Sequence, residues 1–308
     1  MLLMLYSLIQ AKITYLFVLS FWFTNSNKAS NLNYMLDFYK GRGRDEVIKA
    51  IMFDLDDTLL WDSKSIEKAF EATCLYAETK AGTDPVMLEK SVREAARELY
   101  ATYDTYAFTQ NIGINPFEGL WGDFLDDHDE HFLKMREIVP TYRKMAWTLG
   151  LASLGVSDAK LGEELSEKFR DERGHRPYVY EDTFHVLDEV KDRYQLLLLT
   201  NGSPHLQNTK LDKTPELLPY FEEIIISGNV GKGKPDPSMF QHALERLKLH
   251  KNEVIMVGDN LNTDILGASR LGIRTIWINR RQQKPDKVIP DYEVKELHEV
   301  IGIVNNMN

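Results

Sequence analysis

The octet FDLDDTLL at residues 53–60 constrains this chain more than any other feature. It follows Ile51-Met52 and sets Asp54 and Asp56 two residues apart. Burying unpaired carboxylates in a strand interior is expensive, so the strand must end where the acids begin. At the carboxyl end of a buried parallel strand the backbone turns outward. Two carboxylates there can converge on a cation and an incoming anion, and open α/β sheets hold their ligands at that edge. Three later segments complete the set: LLLLTNG at 196–202, GKGKPDP at 231–237 and VGDNLNTD at 257–264.

Short apolar runs rich in Ile, Leu or Val fall at 49–54, 195–200, 223–227, 253–258 and 274–278. Continuous runs of this kind suit a parallel sheet covered on both faces. Helical patterns separate them at 182–192, 204–212, 237–249 and 262–271, the last closed by Gly272. A short strand near 291–294 and a helix near 295–304 finish the chain. The alternation predicts an α/β fold with a doubly wound parallel sheet. Residues 63–180 contain no strand pattern. Residues 65–82 and 84–103 carry helical apolar spacing, with Asp84 as N-cap before Pro85. Further helices are expected at 129–151 and 157–173, punctuated by Gly155 and Gly174. The expected organisation is an α/β core of 47–62 and 181–308, with an inserted all-helical cap at 63–180. Such a cap, hinged over the catalytic edge, can exclude water and choose substrates.

Residues 1–46 do not match the rest. Positions 1–23 are mostly apolar and long enough to span a bilayer, although Lys12 interrupts them. No positive segment precedes them, which argues against a signal peptide. If they insert, Lys28, Lys40, Arg42 and Arg44 hold the catalytic domain in the cytoplasm. The preferred expectation is that Val47, which a GTG start codon can encode, is the initiator. Residues 40–46, KGRGRDE, then read as a purine-rich ribosome-binding site translated into protein; a membrane anchor or a folded extension are the alternatives. The net charge of −10 argues against a nucleic-acid surface and against an anionic-membrane surface. The single cysteine, Cys74, excludes an intrachain disulfide and a thiolate metal site. It fits a reducing compartment, so a cytoplasmic location is expected. Oligomeric state is not legible.

The four segments hold what phosphomonoester chemistry needs: a cation, a nucleophile, a proton donor for the leaving oxygen and neutralisation of the equatorial oxygens. Asp54 can form an acyl phosphate. Asp56 can protonate the leaving alkoxide and then activate water. Magnesium compensates the paired carboxylates, with Asp259 as a further hard ligand and Asp264 in the supporting shell. Thr200 offers a hydroxyl, Asn201 and Gly202 backbone amides, and Lys234 a point charge for phosphate. Elsewhere plainer readings prevail. The acidic run at 126–131 reads as a solvated helix junction, His205 as a helix-start surface residue, and most cap aromatics as bundle core. Trp61 and Asp62, where the chain leaves for the cap, touch substrate or pack the hinge.

These residues resemble the haloacid dehalogenase superfamily on all its motifs: DLDDTL the first, LLTNG the second, GKGKPDPSMF the third and GDNLNTDILGA the fourth. The resemblance covers about 48–295, and the helical insertion is similar to that family's C1-type cap. It implies a magnesium-dependent hydrolase of a small phosphorylated metabolite. Asp54 is then nucleophile and metal ligand, and Asp56 acid/base with its main-chain carbonyl on the metal. Thr200, Asn201 and Lys234 bind phosphate. Asp259 completes the metal site and Asp264 supports it. Asn260 stands where serine is more usual, and Asp57 where glycine is commoner. A phosphomutase or dehalogenase of the same superfamily, or a non-catalytic binder of phosphorylated metabolites, are the alternatives. Asp56 disfavours a dehalogenase, since halide leaves without a proton.

Overall fold

The computed structural model describes residues 47–307 except 128, 176 and 286. The expectations for residues 1–46, an anchor at 1–23 among them, lie outside the described residues, as does His128 of the acidic run. Val47–Asn308 forms one compact unit.

Strand β1 (Ala50–Phe53) is followed by six helices: α1 (Asp62–Ala81), α2 (Pro85–Tyr100), α3 (Tyr106–Ile112), α4 (Pro116–Gly119), α5 (Glu130–Ser153) and α6 (Ala159–His175). Then come α7 (Thr183–Val190), β2 (Gln195–Thr200), α8 (Pro204–Asp212), β3 (Glu223–Ile226), α9 (Ser227–Val230) and α10 (Pro237–Leu247). The chain ends through β4 (Val254–Gly258), a π-helical turn (Leu261–Ile265), α11 (Leu266–Leu271), β5 (Arg274–Ile278), β6 (Tyr292–Val294) and α12 (Glu299–Asn306).

All six strands pair in parallel, in the order β3-β2-β1-β4-β5-β6. The chain winds from β1 outward through β2 to β3, then returns to the other side of β1. Its topological switch therefore lies at β1, where open α/β sheets form a crevice. Alternate side chains supply opposite faces. Ile51, Phe53, Leu196, Leu198, Ile255 and Val257 pack under α7 and α12. Ala50, Met52, Leu197, Leu199, Val254 and Met256 pack under α10 and α11. Burial on both faces is why these strands read as unbroken apolar runs.

The helical insertion builds its own core around Phe70, Trp147 and Phe169, with Val92, Tyr142 and Leu165. Asp84 caps α2, its carboxylate accepting the Met87 amide at 2.8 Å. Gly155 takes φ +80° in the turn between α5 and α6. Gly174 does not punctuate: α6 runs through it to His175, because an isolated glycine costs a helix only about 1 kcal/mol. Cys74 is buried in this bundle, and burial pushes its thiol up to about 12. Among the described residues, no helix is long and apolar enough to cross a membrane.

Candidate active site

Register places the chemistry. Phe53 pairs with Leu198 on one side and Val257 on the other. Asp54, Thr200 and Asp259 thus emerge one or two residues beyond a common level, at the carboxyl ends of adjacent strands. The Asp54 amide still donates to the Val257 carbonyl at 3.0 Å, which fixes where its side chain starts. Lys234 enters from the loop between α9 and α10. Its Nζ lies 2.6 Å from Asp54 Oδ1, 2.7 Å from Asp264 Oδ1 and 2.6 Å from the Leu199 carbonyl. The Asn201 side chain grips both ends of the Lys234 peptide unit: Oδ1 accepts its amide at 2.8 Å and Nδ2 donates to its carbonyl at 2.9 Å. Thr58 donates to Asp54 Oδ2 at 3.2 Å.

Carboxylate oxygens of Asp54, Asp259 and Asp264 lie within 4.8 Å of one another. Lys234 supplies a single ammonium to this group. Burial pushes the Asp54 carboxyl up to about 7, with Asp264 and Asp56 adding to the rise and Lys234 opposing it. Asp259 is also raised, by burial first and then by Asp54 and Asp264. Burial opposes the charge of Lys234, but Asp264 and Asp54 more than offset that and raise it. Two buried carboxylates and the half-buried Asp259 facing one ammonium lack positive charge, and an all-oxygen donor set fits a hard divalent cation. The Asp259 backbone is held by Trp277, whose indole Nε1 donates to its carbonyl at 2.7 Å. A β-carbon at Gly258 would run into the Asp264 carboxylate, so glycine here lets that acid approach β4. Asp57 takes φ +60°, the left-handed turn that explains why glycine suits the position.

This arrangement coincides with a family assignment. Residues 48–272 match the haloacid dehalogenase-like hydrolases. The chain belongs to that family. It is 32% identical over 255 residues to the phosphoserine phosphatase of Thermus thermophilus, spanning 82% of this chain and 98% of that protein. It is 28% identical over 264 residues to the HAD-hydrolase YfnB of Bacillus subtilis, covering 84% and 97%. The magnesium-bound crystal structure of YfnB superposes with a TM-score of 0.59 at 22% identity, covering 84% of this chain and 99% of that one. The L-2-haloacid dehalogenase of Xanthobacter autotrophicus superposes at 0.55 with 18% identity, covering 85% and 100%. At such identities the structures attest a shared fold.

The family motifs account for Asp54, Thr200, Lys234, Asp259 and Asp264 at one sheet edge, but not for the partners of Asp56. Its Oδ2 accepts Lys210 Nζ at 2.7 Å and Gln207 Nε2 at 3.0 Å, both from α8. Gln207 Nε2 also reaches Thr200 Oγ1 at 2.7 Å. Lys210 lies 3.6 Å from Glu118 of α4 and 3.7 Å from Asp62 at the start of α1. Asp62 in turn pairs with Arg173 of α6 at 2.7 Å. Sequence reasoning missed Lys210, Gln207 and Glu118. A signal existed for two of them: Gln207 and Lys210 sit three apart, on one face of the helix that follows the LLTNG strand.

Other expectations change. Asp126 is buried, not solvated: it accepts Ser203 Oγ at 2.5 Å and the His205 amide at 2.7 Å, so it braces the start of α8. Asp129, by contrast, does what a helix junction implies and caps α5, accepting the His131 amide. The Gly202 amide is not open to a ligand; it donates to Ser227 Oγ at 2.8 Å. Trp61 stacks on Tyr180 with ring centres 5.0 Å apart, which packs the two connections to the insertion together.

Proposed function

We propose that this chain is a magnesium-dependent phosphomonoesterase for a small phosphorylated metabolite, with 63–180 as its cap and 47–62 with 181–308 as its core. The observation that carries the reading is the cluster of buried Asp54, Lys234 and Asp264 with half-buried Asp259 at the switch point. The phosphoserine phosphatase relative supports the reaction class and makes phosphoserine the first substrate to try. One cysteine, buried and unbridged, suits cytoplasmic work.

Asp54, the Asp56 carbonyl and Asp259 would hold the cation, with Asp264 supporting them; bound there, it would neutralise phosphate charge. The Asp54 carboxylate attacks phosphorus as the bond to the ester oxygen breaks, giving an aspartyl-phosphate. Asp56 gives its proton to the departing alkoxide. It then takes a proton from the water that attacks the same phosphorus, releasing phosphate and regenerating Asp54. Lys234 and Thr200 neutralise and orient the phosphoryl oxygens, with the Asn201 main-chain amide beside them. The Asn201 side chain fixes the lysine that does so.

The test is phosphate release from phosphoserine and a panel of other phosphorylated metabolites, with magnesium and with chelator. Magnesium-dependent release from wild type, and none from Asp54→Asn, is the expected result. Isomerised sugar phosphate with little free phosphate would mean a mutase, halide from 2-chloropropionate a dehalogenase. Binding without turnover would leave only the non-catalytic reading.

A further inference from the structure

Lys210 lies outside the four segments that carry the chemistry, yet among the described residues it is the most heavily engaged cation beside the acid/base residue. Its side chain is 6% exposed, and three carboxylates from three different elements surround it: Asp56 after β1, Asp62 of α1 and Glu118 of α4. Glu118 is anchored in turn, since its other oxygen accepts the Asn115 amide at 2.9 Å within a capping box. Asp62 is fixed by Arg173, whose guanidinium lies 4.7 Å over the Trp121 ring. The ammonium is therefore held by Glu118 of the insertion and by Asp62, which Arg173 of the insertion fixes, and grips Asp56 on its remaining side. A lysine free to choose solvent would not stay so buried. Gln207, one turn earlier on α8, donates to the same Asp56 oxygen, so both ligands of that oxygen come from one rigid helix.

We infer that Lys210 is the positioning residue for Asp56: it fixes the carboxylate that serves the leaving oxygen and, through Glu118 and Asp62, makes that placement depend on the insertion. The inference rests on the phosphatase reading above. A carboxylate matters to ester cleavage in proportion to how badly the leaving oxygen needs a proton. Phosphoserine expels an alkoxide and needs it. 2,4-Dinitrophenyl phosphate expels a stabilised phenolate and does not. Loss of Lys210 should therefore hurt the first and spare the second, whereas loss of a merely structural ion pair harms both alike.

The experiment compares kcat/KM for the two esters in full-length wild type, Lys210→Met, Asp56→Asn and the double variant. Lys210→Met is expected to lose about 10²-fold on phosphoserine and less than about threefold on the dinitrophenyl ester. It should have no further effect once Asp56 is asparagine. Lys210→Gln, which keeps a donor on a shorter stem, should repeat the split at smaller size, and supplies the readout if the methionine variant does not fold. Equal losses on both esters, or full additivity with Asp56→Asn, would overturn the role of Lys210 while leaving the phosphatase reading standing. A wild type that hydrolyses neither ester would overturn that reading, and this inference with it.

Discussion

Burial disfavours the charged form of Asp54, and that has a sign. Its carboxyl ionises at about 7 in the folded chain against 3.8 as its ordinary value. The folded state thus keeps a proton that the unfolded chain releases across this window. Asp54's contribution to stability is fully present below the unfolded value and is lost as pH rises through about 7; the raised Asp259 acts in the same direction. In chelator, the melting temperature should fall between about pH 5 and about pH 8 by more than in Asp54→Asn. Magnesium should restore it at the higher pH and do little at the lower, since cations bind the deprotonated ligands. Thermal melts across pH check this, and an equal magnesium effect at both ends would contradict it. At this scale most of the cluster was legible, because Asp54, Thr200, Lys234 and Asp259 each end an apolar run or sit in a Gly/Pro loop. Glu118 and Asp126 were not. Each owes its role to a partner some ninety or eighty residues away, and no local spacing encodes such a distance.

Among the elements, β1, β2 and β4 were readable to within a residue or two because burial on both faces leaves no polar position inside them. The long helices α1, α2, α5 and α6 declared themselves by apolar period and caps. Helices α3 and α4 did not: seven and four residues are too few for a period to stand out. Yet they matter to the site. Asn111 at the end of α3 accepts the Gly233 amide at 2.8 Å, and α4 carries Glu118. The insertion's helices meet at small residues. A β-carbon on Gly150 of α5 would run into Val92 of α2, whose backbone lies 3.1 Å from that position. Relief would require the helices to part, so Gly150→Ala should cost about 1–3 kcal/mol despite better helix propensity. Urea unfolding measures it, and a stabilised variant would contradict this packing.

Over the described residues, one apolar cluster lies on each face of the sheet and a third inside the insertion, and the candidate site sits at the carboxyl edge of the sheet. The sheet supplies the Asp54, Asp259 and Asp264 cluster, and the insertion supplies Glu118 beside Lys210 and Arg173 beside Asp62. The central claim is that the Asp54 carboxylate itself takes the phosphoryl group. Rapid mixing with phosphoserine and magnesium, quenching with borohydride and mapping peptides by mass spectrometry tests it most directly. Borohydride reduces an acyl phosphate to the alcohol, so the account predicts homoserine at position 54 in wild type. Turnover with an unmodified Asp54, or with the label on another residue, would contradict it.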